Sequence, residues 1–215
     1  MRFLCISDLH GHADALRAVL LAAERRGYSR LLVAGELCFP GPAPLATWKL
    51  LMDAGATCVQ GIGDRALATV DLGALQARND HELERIGRLR EARAELGELI
   101  VARLGKLPTT VRIPLPTGDE LLLVHGSPAD PTEGMDAAMS DEELMALVAD
   151  DPADIVVCGA THVPFDRWVQ GVRIVNVGSV GEAPGGRHAD ATIIEVNPEG
   201  VTVEQFSVPR DAVAA

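Results

Sequence analysis

Five short polar segments, each set directly after an apolar run, constrain this chain more than any other feature of its sequence. They are Asp8-Leu9-His10-Gly11-His12, Gly35-Glu36, Gly61-Ile62-Gly63-Asp64, His125-Gly126 and Gly159-Ala160-Thr161-His162. Runs before them, such as Leu31-Leu32-Val33-Ala34 and Ile155-Val156-Val157-Cys158, are short, unbroken and rich in Leu or β-branched residues, the pattern of a buried strand. In an α/β sheet, groups leaving the C-terminal ends of strands gather along one edge. Carboxylates and imidazoles from distant parts of the sequence are therefore expected to meet there.

Strand and helix signals alternate through the first third of the chain. Arg2 to Ser7 reads as a strand, and Ala13 to Arg26 as a helix with Leu16, Val19, Leu20 and Ala23 on one face and Gly27 as its stop. Leu31 to Ala34 is a second strand. The turn Phe39-Pro40-Gly41-Pro42 then leads into a helix from Pro44 to Ala54 and a third strand, Thr57 to Gln60. Such alternation implies a mainly parallel sheet.

After Asp64 the pattern changes. Asn79 to Leu104 is charged and helical, opened by the capping pattern Asn79-Asp80-His81-Glu82, with Gly87 and Gly97 as candidate breaks. Its Arg and Glu residues read as a solvated face, and His81 is expected there, exposed and uninvolved. Thr110 to Pro114 and Glu120 to Val124 form a hairpin about Thr117-Gly118-Asp119. An acidic loop, Ser127 to Asp136, precedes a helix announced by Ser140-Asp141-Glu142-Glu143. Ile155 to Cys158, Val172 to Asn176, Ala191 to Val196 and Val201 to Phe206 complete the strands, and Val208 to Ala215 is expected to fray. With no repeat or linker, residues 1–215 read as one α/β domain, a four-layer α/β/β/α sandwich of two mixed β-sheets flanked by helices.

Composition narrows the partners. Aromatic residues are 3% of the chain, so the core is built from Leu, Val, Ile and Ala, and base-stacking platforms are not expected. A formal charge of -12 opposes binding to a nucleic-acid backbone, which draws its affinity from Lys and Arg, but leaves room for a small phosphorylated substrate at a local cation. The N-terminus reaches Asp8 after too few apolar residues for a signal peptide, and no segment approaches the roughly 20 apolar residues of a membrane span. The expectation is a soluble, cytoplasmic protein. Cys5, Cys38, Cys58 and Cys158 show no C-x-x-C pair and read as buried, reduced thiols, although Cys38 and Cys158 lie close to Glu36 and Gly159.

Metal-assisted phosphate hydrolysis needs hard or borderline ligands on rigid elements and an open position for water. Asp8 and His10 leave the first strand in a tight Gly-containing loop, Glu36 ends the second strand, and His125 and His162 each follow an apolar strand. A single His after a strand is most simply structural. Four strand ends carrying Asp/His, Glu, His and His in one small chain point to a metal site.

In order and spacing these segments resemble the calcineurin-like metallophosphoesterases, in particular their small bacterial and archaeal phosphodiesterase branch, from Arg2 to about Phe206. The family pattern runs D-x-H, G-D with a following G-P, G-N-H-D, H-G, G-H-x-H and N-P-G-S. Here the same places read Asp8-Leu9-His10, Gly35-Glu36 with Gly41-Pro42, Gly61-Ile62-Gly63-Asp64, His125-Gly126, Gly159-Ala160-Thr161-His162 and Asn176-Val177-Gly178-Ser179. The resemblance implies that a first divalent cation is held by Asp8, His10, Glu36 and His162, with His125 near the open position. One Mn, Fe or Zn per chain is the expected cofactor.

The departures fall mainly on a second cation. Ile62 and Ala160 stand where the family has lone-pair donors, leaving Glu36 and His125, and Ile62 is expected to fill part of that space. Gly63 replaces the family's phosphate-contacting acid histidine, whose loss typically costs 10²–10⁴-fold. His12 and His125 are then the imidazoles to consider for catalysis, although His12 equally suits capping of the following helix. Arg187 and His188 are weaker candidates for substrate contact; Asp64 is expected to cap the segment from Arg65, and Gly126, Gly178 and Ser179 to form turns beneath the site.

Two functions follow. One is a divergent phosphoesterase that hydrolyses phosphodiesters or phosphomonoesters with metal-bound water. The other is a pseudoenzyme that binds or scaffolds a protein partner, favoured by the joint loss at positions 62, 63 and 160. A nucleotide-binding domain of another family is disfavoured, since no G-x-G-x-x-G or P-loop follows the first strand.

Overall fold

The computed structural model describes residues 1–150 and 152–210. Its elements in chain order are β1 (Arg2–Ile6), α1 (Ala13–Glu24), β2 (Arg30–Val33), α2 (Pro44–Asp53), β3 (Thr57–Cys58), α3 (Ile62–Thr69) and α4 (Asp80–Leu104). Then follow β4 (Thr110–Pro114), β5 (Glu120–Val124), α5 (Asp141–Val148), β6 (Ile155–Cys158), β7 (Phe165–Val169), β8 (Val172–Asn176), β9 (His188–Asn197) and β10 (Gly200–Pro209). They form two mixed five-stranded sheets, ordered β10-β9-β1-β2-β3 and β4-β5-β6-β8-β7. The β1-β2-β3 and β5-β6-β8 runs are parallel, and the outer pairings are antiparallel.

Period-two alternation builds the layers. On β1, Phe3 and Cys5 face the inter-sheet core with Leu121, Leu123, Ile155 and Val157. Leu4 and Ile6 point the other way, into a core with Leu16 and Val19 of α1, Leu51 of α2 and Leu96 of α4. On the far sheet, Val156 and Cys158 turn outward to Leu144 and Val148 of α5. A strand buried on both faces must be apolar throughout, which is why these runs lack the polar alternation of a surface strand. The result is the four-layer α/β/β/α sandwich that the sequence predicts.

Several boundaries differ. The sequence pattern does not reveal α3, because Gly61, Gly63 and Asp64 look like loop residues, or β7, whose Asp166 and Arg167 interrupt the apolar run. Asp64 therefore lies inside the first turn of a helix rather than ahead of one beginning at Arg65. Gly87 stays helical, whereas Gly97 breaks α4 with φ 74° and ψ 163°. Val208 and Pro209 pair with Ala189 and His188 instead of fraying, and residues 211–215 lie outside the described residues. Among the described residues no helix is long and apolar enough to cross a membrane.

Candidate metal centre

The C-terminal ends of β1, β2, β5 and β6 converge as expected, and the backbone fixes them before any side chain acts. Asp8 N–H donates to Gly35 O at 3.1 Å, His10 N–H to Glu36 O at 2.8 Å and Gly11 N–H to Leu37 O at 3.0 Å. The loop after β8 closes over them: Ser179 Oγ donates to Asp8 O at 2.8 Å, and Gly181 N–H to the same oxygen at 2.9 Å. Seven described non-glycine residues have positive φ, and five of them, Asp8, His10, Glu36, Ala160 and His162, are in this cluster. Strained backbone of that kind persists where surrounding contacts over-determine it, which is the habit of functional sites.

Asp8, His10 and His162 form the metal-competent group, with one ligand atom from each lying within 4.8 Å of the others. His162 Nε2 is 3.2 Å from Asp8 Oδ1 and 3.2 Å from His10 Nε2, and His10 Nε2 is 3.7 Å from Asp8 Oδ1. The nitrogen His10 Nδ1 sits 2.7 Å from the Phe39 carbonyl. A carbonyl only accepts, so Nδ1 carries a proton and Nε2 is the nitrogen that faces inward as the candidate ligand atom. Asp8 Oδ2 accepts from Ala160 N–H at 3.0 Å, whereas buried Asp8 Oδ1 has no hydrogen-bond partner. A buried carboxylate oxygen left open between two imidazoles is costly unless a cation or proton fills the gap.

Electrostatics keep that carboxylate anionic. Burial pushes the Asp8 carboxyl upward, but the adjoining His162 ring, the His125 charge and Ser7 outweigh it and hold it below its ordinary value. The nearby Asp8 carboxylate raises His162 against the opposing effect of burial. One carboxylate and two imidazoles suit a borderline cation such as Zn²⁺, Mn²⁺ or Fe²⁺, and the three spacings match tetrahedral bonds of about 2.0–2.2 Å. The donor set present therefore fits a divalent ion.

Glu36 and His125 share the cleft with this group. The Glu36 carboxylate turns to the start of α3, where its Oε1 accepts from Gly63 N–H. Burial, reinforced by Asp64 and Asp8, raises its carboxyl to about 8 despite backbone donors from Gly63 and Ile62. Its neighbour Asp64 is also raised by burial, and accepts from Gly61 N–H and Leu37 N–H, both at 3.0 Å. His125 Nδ1 is tied to Ala34 O at 2.7 Å and its Nε2 stands 3.8 Å from Glu36 Oε1. Glu36, the fourth residue expected around the first cation, lies beside the three, its Oε2 3.6 Å from His10 Nδ1.

Other predicted residues sort by place. The His12 ring makes no cap bond to α1; its Nδ1 instead accepts from Arg210 at 2.8 Å. Burial, helped by Arg210, lowers its pKa and keeps it neutral. Arg187 and His188 line a separate shallow depression with Ser207. His81 is exposed, yet it lines the cleft of about 620 Å³ over the triad, with Arg85 and Arg88 of α4 and Ile62 and Ala66 of α3. Ile62 thus walls the cleft with about half its surface open.

Sequence reasoning does not reach Arg85, Arg88 or Glu182. Glu182 Oε2 lies 3.7 Å from His10 Nε2, and its backbone N–H is held by Ser179 Oγ at 2.7 Å. No strand precedes Glu182 directly, so only the turn-forming Gly178-Ser179 pair upstream hints at a loop folding back here.

A family model described as a calcineurin-like phosphoesterase superfamily domain matches residues 1–199. No curated protein matches the sequence. Among solved structures, the chain is similar to a hypothetical protein, PH1004, from Pyrococcus horikoshii OT3, with TM-score 0.81 and 19% identity over 99% of this chain and 90% of that one. A metallophosphoesterase from Sphaerobacter thermophilus aligns with TM-score 0.74 and 23% identity over 100% and 94% of the two chains. Yfce, a phosphoesterase from E. coli, aligns with TM-score 0.56 and 19% identity over 97% and 100%.

Proposed function

The chain belongs to the calcineurin-like phosphoesterase superfamily, and from that premise we propose that it is a divergent phosphoester hydrolase working with one divalent cation held by Asp8, His10 and His162. The observation that carries this reading is Asp8 Oδ1, buried, without a hydrogen-bond partner and set between two imidazole nitrogens at 3.2 and 3.7 Å. A cation there would supply Lewis acidity and an acidified water. The chain's own part is to hold the donors in place: Phe39 O orients the His10 ring, and Ala160 N–H fixes the other oxygen of Asp8.

Ile62 and Ala160 offer no lone pair to a second cation, and Gly63 brings no imidazole to a departing group. His125 and His81 are the imidazoles in the cleft besides the two of the triad, whereas His12 is held by Arg210. The substrate is accordingly a small phosphorylated molecule with a leaving group that departs with little help.

The test is metal analysis of protein purified without chelators, followed by hydrolysis of bis(p-nitrophenyl) phosphate with added Mn²⁺. About one equivalent of metal, with turnover falling about 100-fold or more in His162→Ala, is expected. Unchanged turnover in that variant would overturn the proposal. A protein-binding pseudoenzyme is the second reading, favoured by a Glu36 carboxylate whose Oε1 is engaged by Gly63 N–H. Wild-type protein that neither retains metal nor hydrolyses the diester would support it.

A further inference from the structure

The cleft above the triad has a cationic wall and an apolar annex, and their junction is Arg85. His81, Arg85 and Arg88 follow at i, i+4 and i+7 in the first half of α4, so they share one helix face, and all three line the cleft. In a chain of formal charge -12, Arg85 and Arg88 place two guanidinium groups where an anion would approach the triad. Arg88 is engaged by Glu84. Arg85 makes no hydrogen bond or ion pair among the described residues.

Beyond Arg85 lies a second chamber of about 330 Å³. Phe39, Ala66 and Arg85 line both spaces, so the two adjoin. The annex is otherwise walled mainly by Val70, Leu75, Ile86 and Leu89, with the Arg78–Glu82 ion pair of 3.2 Å also at its wall. A cavity of about 150 Å³ already accepts benzene, so one aryl ring or a branched alkyl group fits here.

Resting on the phosphoesterase reading, we propose that Arg85 grips the substrate's phosphoryl group and that the annex seats its organic substituent, making the substrate a phosphate ester of an aryl or branched-alkyl alcohol. A guanidinium presents paired donors that match two phosphoryl oxygens, a contact an ammonium or single imidazole does not reproduce. It would approach from α4 and hold the phosphoryl oxygens from that side, where Gly63 on α3 has no side chain to offer. An apolar substituent directed away from the triad is the one that gains from leaving water at Phe39, Val70 and Leu75.

Calorimetric titration of the Mn²⁺-supplemented protein with phenylphosphonate and methylphosphonate, neither of which is hydrolysed, tests both halves. Wild type is expected to bind the phenyl compound about tenfold tighter, and Arg85→Ala to weaken both by about tenfold. Leu75→Trp, which fills the annex, should erase the phenyl preference and leave methylphosphonate binding within about twofold. Ile86→Asn serves the same end if that variant fails to fold. Equal wild-type affinities, or an Arg85→Ala protein that binds both compounds unchanged, would overturn the inference. Diester hydrolysis without phenyl preference removes this inference alone; phenyl preference without hydrolysis supports the annex and removes the phosphoesterase reading.

Discussion

The Glu36 carboxylate occupies the space that a side chain at Gly63 would need: a Cβ built there would lie 2.5 Å from Glu36 Oε2 and 3.4 Å from Phe39 Cδ1. The longer acid at 36 and the missing side chain at 63 are therefore one structural change. Gly63→Ala forces the carboxylate off Gly63 N–H while leaving it buried, at about 1–3 kcal/mol. Denaturant titration should give that loss in the wild-type background and less than half of it with Glu36→Asp. Equal losses in both backgrounds would show the two positions to be independent.

Strands β1, β2, β5 and β6 are legible because burial on both faces demands unbroken apolar runs, and the polar residue ending each run marks the sheet edge. Asp8, His10 and His162 are readable for that reason. The orientation of Glu36 is not, because it depends on α3, a helix that Gly61 and Gly63 disguise as a loop. Arg85 is hidden differently. The charged face of α4 reads as solvated in sequence, and only its packing against α3 turns part of it toward the cleft.

Asp8→Asn preserves shape but removes the anion that two imidazoles face at 3.2 and 3.7 Å. Metal affinity should fall by about 100-fold or more, since a carboxamide is a far weaker donor for a divalent cation. Competition against a chromophoric chelator measures this. Retained affinity would place the cation elsewhere.

Glu36 also sets a pH dependence in chelator-treated protein. Its carboxyl titrates near 8 when folded, against an ordinary value of 4.5, because of burial first and Asp64 next. Between those pH values the unfolded chain has lost the proton and the folded chain keeps it, so stability falls as pH rises. This contribution is fully present below pH 4.5 and gone above about 8. Asp8 has the opposite sign, but its window lies below 3.8. Urea midpoints should therefore decline from pH 5 to 8, by an amount that Glu36→Gln reduces; parallel declines in both proteins would contradict the assignment.

The four thiols are all buried and unpaired. Burial raises each one, Cys58 to about 12, with Asp64 adding to the shift at Cys58 and Cys38. Thiolate is the reactive form, so the native protein should react with no Ellman's reagent over the minutes in which the urea-unfolded chain releases four equivalents. Fast labelling of native Cys38 or Cys158 would mean that the strand ends beneath the site open to solvent.

Adding donors at positions 62 and 160 tests whether the proposed single-cation stoichiometry is a matter of donors alone. Ile62 and Ala160 both line the cleft, and Ala160 already has the left-handed backbone, φ 67°, shared by the neighbouring His162. Ile62→Asn with Ala160→His would return two lone-pair donors beside His125. The Glu36 carboxylate would still be held by Gly63 N–H, leaving nothing to bridge two ions. The double variant is therefore expected to bind one equivalent of Mn²⁺, and the triple variant with Glu36→Asp to bind two, because the shorter acid cannot reach Gly63 as well. Two equivalents in the double variant would show that Glu36 leaves its helix contact readily, and that the donors at 62 and 160 alone decide the stoichiometry.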